Sequence, residues 1–308
     1  MKTIKPIFNF YNNLSNVGKI LVFTILLMIV VAFFNSNIPK REGMTINDKF
    51  LFKQDTDVFD DFYVNIYDHL VFNPVKNDYE IGQLVNITEP TTKSVIADIG
   101  CGTGHHTDNL SSKNLQVIGI DISPSMIQTA KENYPNLNFK VGNALDTQLF
   151  QLNSLTHVVC LYFTVYYFKE KRQFFENCME WLMPGGYLVL HLVDRETFDP
   201  ILPPGNPLYV VSPQKYAKKR ITNTKIKFND FEYTSNFNLD EPNDLATFDE
   251  KFKFPDGKVR KQQHKLYMED TAAIVNMAQD SGLILHEKID MVKCAYESQY
   301  LYIFTKPS

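Results

Sequence analysis

The stretch VIADIGCGTGHHTDNL, residues 95–110, restricts the possible folds more than any other part of the chain. A short run rich in β-branched residues passes straight into Gly100, Gly102 and Gly104, and a helical pattern begins at once behind them. Glycine tolerates positive φ and lets backbone approach a ligand closely. The helix that follows offers free N–H groups to an anion. A second run, VIGID, ends in Asp121, whose carboxylate can accept both hydroxyls of a ribose at the mouth of a parallel sheet. The glycine spacing is GxGxG rather than the GxGxxG of dinucleotide binders, because His105 stands where the last glycine would be needed.

Around that turn, strand and helix alternate. Strands are expected at residues 94–99, 116–121, 138–141, 156–161 and 186–193, with helices around 106–111, 124–134 and 169–183. Such alternation implies an α/β fold, a doubly wound and mainly parallel sheet with helices on both faces. Upstream, Phe59, Phe62, Tyr63, Ile66, Tyr67 and Leu70 can share one helical face. Between residues 195 and 268 the pattern changes to apolar and polar residues in alternation, with Pro255-Asp256-Gly257 as a turn, so an antiparallel insert is expected there.

The N-terminus has a different character. Residues 20–34, ILVFTILLMIVVAFF, carry no charge, and Lys19 can snorkel while Val17 and Ile38 extend the run. A secretory signal core and a buried helix are the rival readings, but the polar lead-in is long and no small-x-small cleavage site follows. Residues 1–38 are therefore expected to be a tail with a single transmembrane anchor, 39–57 a linker, and 58–308 the functional body. Lysines on both sides of the run leave orientation undecided by charge. The net charge of −4 gives no basic excess of the kind nucleic-acid binding produces. Cys101, Cys160, Cys178 and Cys294 form no CxxC pair, so neither a zinc site nor a disulfide framework is indicated, and a reducing compartment fits.

The segments ADIGCGTG, GIDISPSMI, FKVGNALD and MPGGYLVL together resemble the class I S-adenosylmethionine-dependent methyltransferases, with the likeness running from about Phe59 to the C-terminus. The resemblance implies a seven-stranded sheet with a reversed terminal hairpin, and an insert that closes over the cleft on the acceptor. It implies S-adenosylmethionine as cofactor, its methionine end held by Asp98, Gly100, Gly102 and Gly104, and its ribose by Asp121. Ile122 and Met126 would flank the adenine. Cys101, within the turn, and Ala144, beside Asn143, complete the expected cofactor contacts. Asn143 departs from the acid common at that place, yet its amide oxygen can still accept a hydrogen bond. Asp146 is read equally as a helix cap. Tyr63 and Tyr67 resemble the tyrosine-bearing segment that lies over the cofactor, with helix packing as the competing account.

The fourth strand, LTHVVCLYFTVYYF, contains no acid and no PPY-type signature, which speaks against a metal and against methylation of nucleic-acid bases. Tyr162, Phe163, Tyr166, Tyr167 and Phe168 instead offer an aromatic wall, or simply packing. For a protonated acceptor a base is required, and His191, at a strand's C-terminal end, is preferred over His69, His105 and His106. The cluster Lys215, Lys218, Lys219, Arg220, Lys225 and Lys227 is either an anion-binding patch or a solvated face. The leading expectation is a membrane-anchored methyltransferase with its body in the cytosol, acting on a small-molecule, glycan, lipid-linked or protein acceptor. The alternative is a non-catalytic scaffold that keeps the fold.

Overall fold

The computed structural model describes residues 15, 18, 19, 24, 50–203, 214 and 217–308. The chain divides into two units, Met1–Thr45 and Ile46–Ser308. Of the first, Gly18, Lys19 and Thr24 are helical. The rest of the expected anchor, residues 20–34, lies outside the described residues, apart from Thr24. Among the described residues no helix is long and apolar enough to cross a membrane.

The second unit begins with β1 (Phe50–Gln54), followed by α1 (Asp61–Val71) and α2 (Pro74–Thr88). Of the expected linker, residues 39–57, the described part includes a strand, β1, which runs parallel to a later strand and forms a sheet edge. The helical pattern beginning at Phe59 also splits in two. Asn73 caps α2 by accepting hydrogen bonds from the Val75 and Lys76 N–H groups at 3.0 and 3.2 Å, and Pro74 occupies the first turn, where its missing N–H costs nothing.

Strand and helix then alternate as β2 (Val95–Ile99), α3 (His105–Ser111), β3 (Gln116–Asp121), α4 (Pro124–Asn133), β4 (Asn138–Val141), β5 (Leu155–Cys160), α5 (Lys171–Trp181) and β6 (Leu182–Val193). An insert of β7 (Asn223–Lys227), β8 (Glu232–Asp240), β9 (Leu245–Lys253) and β10 (Val259–Tyr267) follows, and α6 (Thr271–Asp280), β11 (Ile284–Asp290) and β12 (Gln299–Thr305) complete the unit. One sheet has seven strands in the order β11-β12-β6-β5-β2-β3-β4, of which β12 alone runs against its neighbours. The fold is therefore the expected doubly wound, mainly parallel α/β sheet. The other sheet, β1-β10-β9-β8-β7, is antiparallel except at its β1 edge.

The central strands β2 and β5 and the second half of β6 are buried on both faces, which is why they read as near-continuous apolar runs. In β6, Leu188, Leu190 and Leu192 join the core with Trp181 and Phe174 of α5 and Ile274 of α6. Val189 faces the other way, into a core with Ile81 and Leu84 of α2 and Leu110 of α3. Each such side chain, wholly withdrawn from water, contributes on the order of 1.5–3 kcal/mol before conformational entropy is counted. The chain leaves β2 for β3 and β4 on one side and returns to β5 and β6 on the other. Its direction therefore reverses between β2 and β5, and a crevice opens at their C-terminal ends.

Candidate functional site

That crevice holds a cavity of about 360 Å³, a size suited to a small cofactor or substrate. Its floor is the glycine turn. Gly100 and Gly102 adopt φ of +71° and +53°, and a Cβ on Gly100 would lie 2.3 Å from Thr164. At Gly102 a Cβ would meet nothing nearer than the Tyr67 ring at 3.8 Å and the Met126 sulfur at 4.0 Å, so its missing side chain is open cavity. The Gly102 N–H donates to Asp121 Oδ2 at 3.0 Å, and the Ser123 N–H donates to Oδ1 at 2.9 Å. These bonds join the turn after β2 to the end of β3 and aim the carboxylate while leaving it further lone pairs. Burial pushes the Asp121 carboxyl up to about 6, against the pull of those two N–H groups. Asp98 is raised by burial as well, opposed by His106 and by the Thr107 hydroxyl, which donates to it at 2.7 Å.

Most residues singled out from the sequence come together around this cavity. Asp98, Gly100, Cys101 and Gly102 line it, as do Asp121, Ile122 and Met126. So do Asn143, Ala144, Tyr63 and Tyr67. Asn143 Oδ1 already accepts the Leu145 N–H at 3.0 Å, and Asp146 caps a short helical turn through the Gln148 N–H. The aromatic segment divides. Tyr162, Phe163, Tyr167 and Phe168 reach the cavity, whereas Tyr166 is buried and its hydroxyl accepts the Val193 N–H at 2.9 Å.

Two of the expected residues lie outside the cavity. Gly104 does not line the cavity; it starts α3 at φ +95°, and a Cβ there would lie 2.9 Å from Phe139, so packing explains this glycine. His191 does not line the cavity either. The two-residue period of β6 turns it away from the face of Leu190 and Leu192, toward the α2 side. There Nδ1 donates to the Tyr162 carbonyl at 2.7 Å and Nε2 lies 3.0 Å from the Gln299 amide, so neither nitrogen is free for a substrate proton. Burial first, and Lys76 second, lower its pKa to about 4. His69 is exposed and outside the cavity, while His105 and His106 line it.

Sequence reasoning missed the charge pair on α2. Lys76 and Glu80, one helical turn apart, are both wholly buried and ion-paired. Lys76 lines the cavity and sits 3.7 Å over the Tyr162 ring, and His106 Nε2 meets Glu80 at 2.9 Å. Burial would raise the Glu80 carboxyl, but Lys76 and then His106 hold it at about 2. At i,i+4 spacing such a pair looks in sequence like an ordinary solvated helix face. The insert was foreseen over the cleft, but not its polar inner face. Tyr167 and His264 line the cavity together, joined through a 2.7 Å hydrogen bond.

The basic cluster separates too. The Arg220 guanidinium donates to the Phe198 and Arg195 carbonyls and stacks over the Phe198 ring, while Lys218 and Lys219 are exposed. Lys215 lies outside the described residues. Among the described residues no group of three or more His, Cys, Asp or Glu is placed to hold a metal ion.

Residues 96–186 match the family model of a methyltransferase domain. The dTDP-4-amino-2,3,4,6-tetradeoxy-D-glucose N,N-dimethyltransferase of Saccharopolyspora spinosa is 29% identical over 114 residues, 36% of this chain and 45% of that protein. The ubiquinone biosynthesis O-methyltransferase of Rickettsia canadensis is 27% identical over 127 residues, 40% of this chain and 52% of that protein. The chain thus spans about half the length of these curated relatives. A solved S-adenosylmethionine-dependent methyltransferase from Clostridium acetobutylicum shares the fold with a TM-score of 0.60 at 15% identity, covering 80% of this chain and 98% of that one.

Proposed function

We propose that this chain, which carries a methyltransferase domain over residues 96–186, is an S-adenosylmethionine-dependent methyltransferase for a small-molecule acceptor of sugar or related type. The observation that carries the reading is the bond from the Gly102 N–H to Asp121 beside open cavity. It presents an aimed carboxylate and a bare backbone at the crevice of a parallel sheet, as a ribose and its attached chain require. The residues fit the cofactor. Asp121 would take the ribose hydroxyls, Ile122 and Met126 the adenine, and Asp98 with the turn the methionine end. When bound, S-adenosylmethionine supplies an electrophilic methyl group on sulfur. The protein's part is to place the acceptor in line, where positioning alone can supply much of the acceleration, and to keep water out with the aromatic wall.

The relatives named for an amino-sugar and for an O-methylation support an acceptor bearing an amine or hydroxyl. Glycan, lipid-linked and protein acceptors belong to the same proposal. It includes a single membrane anchor at residues 20–34, with the catalytic body on the cytosolic side where the cofactor is made. The outward face of the insert sheet supports a location close to lipid. Exposed Phe52 stands in register with Lys261, Lys251, Thr234 and Lys225 across the whole sheet, and rows of lysine beside exposed aromatics suit anionic headgroups.

Isothermal titration of the full chain in detergent micelles with S-adenosylmethionine, and separately with S-adenosylhomocysteine, tests the reading. Micromolar binding of both is expected. Binding of neither by the folded chain would favour the scaffold alternative. The same preparation tests the anchor, since the chain should stay in the membrane pellet through a high-salt wash until detergent is added.

A further inference from the structure

On the insert side of the cavity, three groups from three elements form one line. The Tyr167 hydroxyl, in the turn after β5, lies 2.7 Å from Nδ1 of His264 on β10. Nε2 of the same ring lies 2.7 Å from Glu250 Oε2 on β9. Glu250 is buried, accepts further hydrogen bonds from the Tyr233 hydroxyl at 2.5 Å and the Gln262 amide at 2.6 Å, and among the described residues forms no ion pair with a lysine or arginine. Burial would raise its carboxyl, but the hydrogen bonds from His264, Tyr233 and Gln262 hold it below the ordinary value.

An ionised Glu250 fixes the imidazole. Nε2 must carry the proton it donates to the carboxylate, and in the neutral imidazole that leaves Nδ1 bare to accept from Tyr167. Phe59, Tyr63 and Phe248 surround the ring at centroid distances of 5.6, 5.6 and 5.9 Å, so the line is dry except at the cavity. Tyr63, Tyr67, Tyr233, Asp121 and Asp55 are the titratable neighbours on the surrounding elements, and Arg260 is held away by Gln262 and Asp60. Burying a carboxylate among neutral donors costs more than an apolar core of the same shape. A purely structural role explains poorly why the charged end sits behind an imidazole and a phenol that both face the cavity.

We propose that Tyr167, His264 and Glu250 form the proton acceptor of the site, and that the substrate is a nucleophile still carrying its proton, an amine N–H or hydroxyl O–H. This rests on the methyltransferase reading above. As the bond forms between acceptor nitrogen or oxygen and the methyl carbon, the carbon–sulfur bond breaks and its electron pair stays on sulfur. The acceptor's proton passes to the Tyr167 oxygen as the Tyr167 proton passes to His264 Nδ1, and the imidazolium is balanced by Glu250. Tyr167 remains a neutral phenol throughout, consistent with a pKa that burial raises well above the ordinary tyrosine value.

The test uses the full chain in detergent, with D-glucosamine as the probe acceptor and S-adenosylhomocysteine release as the rate. Tyr167→Phe and His264→Gln should each lower the rate about a hundredfold, the usual scale of general-base catalysis, while calorimetric affinity for S-adenosylhomocysteine is kept. A second readout does not depend on turnover. With 15N-labelled histidine, the signals lost in His264→Gln should show a protonated Nε2 and a bare Nδ1 at neutral pH. Wild-type rates in Tyr167→Phe, or a proton on Nδ1 of His264 throughout the neutral range, would overturn the proposal. If the wild-type chain binds neither S-adenosyl compound, the functional reading falls instead, and the histidine spectrum still decides whether this line can take up a proton.

Discussion

Two glycines two positions apart do different work. Gly104 is shielded by Phe139 and Tyr134, at 2.9 and 3.0 Å from where a Cβ would stand, whereas Gly102 has open cavity in front of it. Both hold positive φ, which costs a side-chain-bearing residue about 1 kcal/mol. Gly104→Ala should therefore destabilise the fold by roughly 2–4 kcal/mol through overpacking plus that strain, with affinity for S-adenosylhomocysteine unchanged in the folded fraction. Gly102→Ala should cost only about 1 kcal/mol in stability yet weaken the ligand about tenfold or more, because the new methyl group occupies the approach to the Asp121 carboxylate. Urea unfolding and calorimetry on the two variants separate these outcomes. In the sequence the pair look alike, since GxGxG records the need for glycine but not which neighbour enforces it.

Helix α2 shows what periodicity conveys and what it conceals. Its cap is legible, because Asn73 followed by Pro74 is a start signal in any context. Its buried ion pair is not, since burial depends on Tyr162, Tyr296 and His106, from segments distant in the chain, packing around it. Lys76 and Glu80 are each withdrawn from water, so removing one partner strands the other. Glu80→Gln should lower stability by roughly 3–5 kcal/mol by that mechanism. Lys76→Met combined with Glu80→Gln should recover part of the loss. A double-mutant cycle in urea checks this, and simple additivity of the two single variants would show that the charges are not coupled. The insert makes the same point at strand scale. Its alternation predicted antiparallel pairing, but in a strand polar on both faces only the partner layer decides that Arg260, Gln262 and His264 point inward.

Across the whole molecule the buried carboxyls pull stability in opposite directions with pH. Asp121 rises from its ordinary 3.8 to about 6, so the folded chain binds that proton more tightly than the unfolded chain. Its contribution is complete below about 4 and is lost as pH rises through about 6. Glu80, held at about 2, contributes fully above its ordinary 4.5 and loses that contribution only as pH falls toward about 2. A ribose that hydrogen-bonds to ionised Asp121 must compete with its proton below about pH 6. The rise in Tm produced by S-adenosylhomocysteine should thus shrink between pH 7.5 and pH 5, while the ligand-free Tm itself rises as Asp121 takes up its proton. A ligand-induced shift that stays constant over that range would remove Asp121 from the binding contacts.

The sequence alone determined the alternation of strand and helix, the glycine turn, the acid at the end of β3 and the antiparallel insert. Each of these depends on backbone conformation and on apolar periodicity, which are local properties. Tertiary structure decided the rest. It turned His191 onto the α2 face, buried Lys76 with Glu80, added β1 to the insert sheet, and joined Tyr167 to His264 and Glu250 from segments far apart in the chain. Which face of a strand meets a cavity, and whether a charge is solvated or paired, follows from what packs against it, and residue spacing carries no record of that.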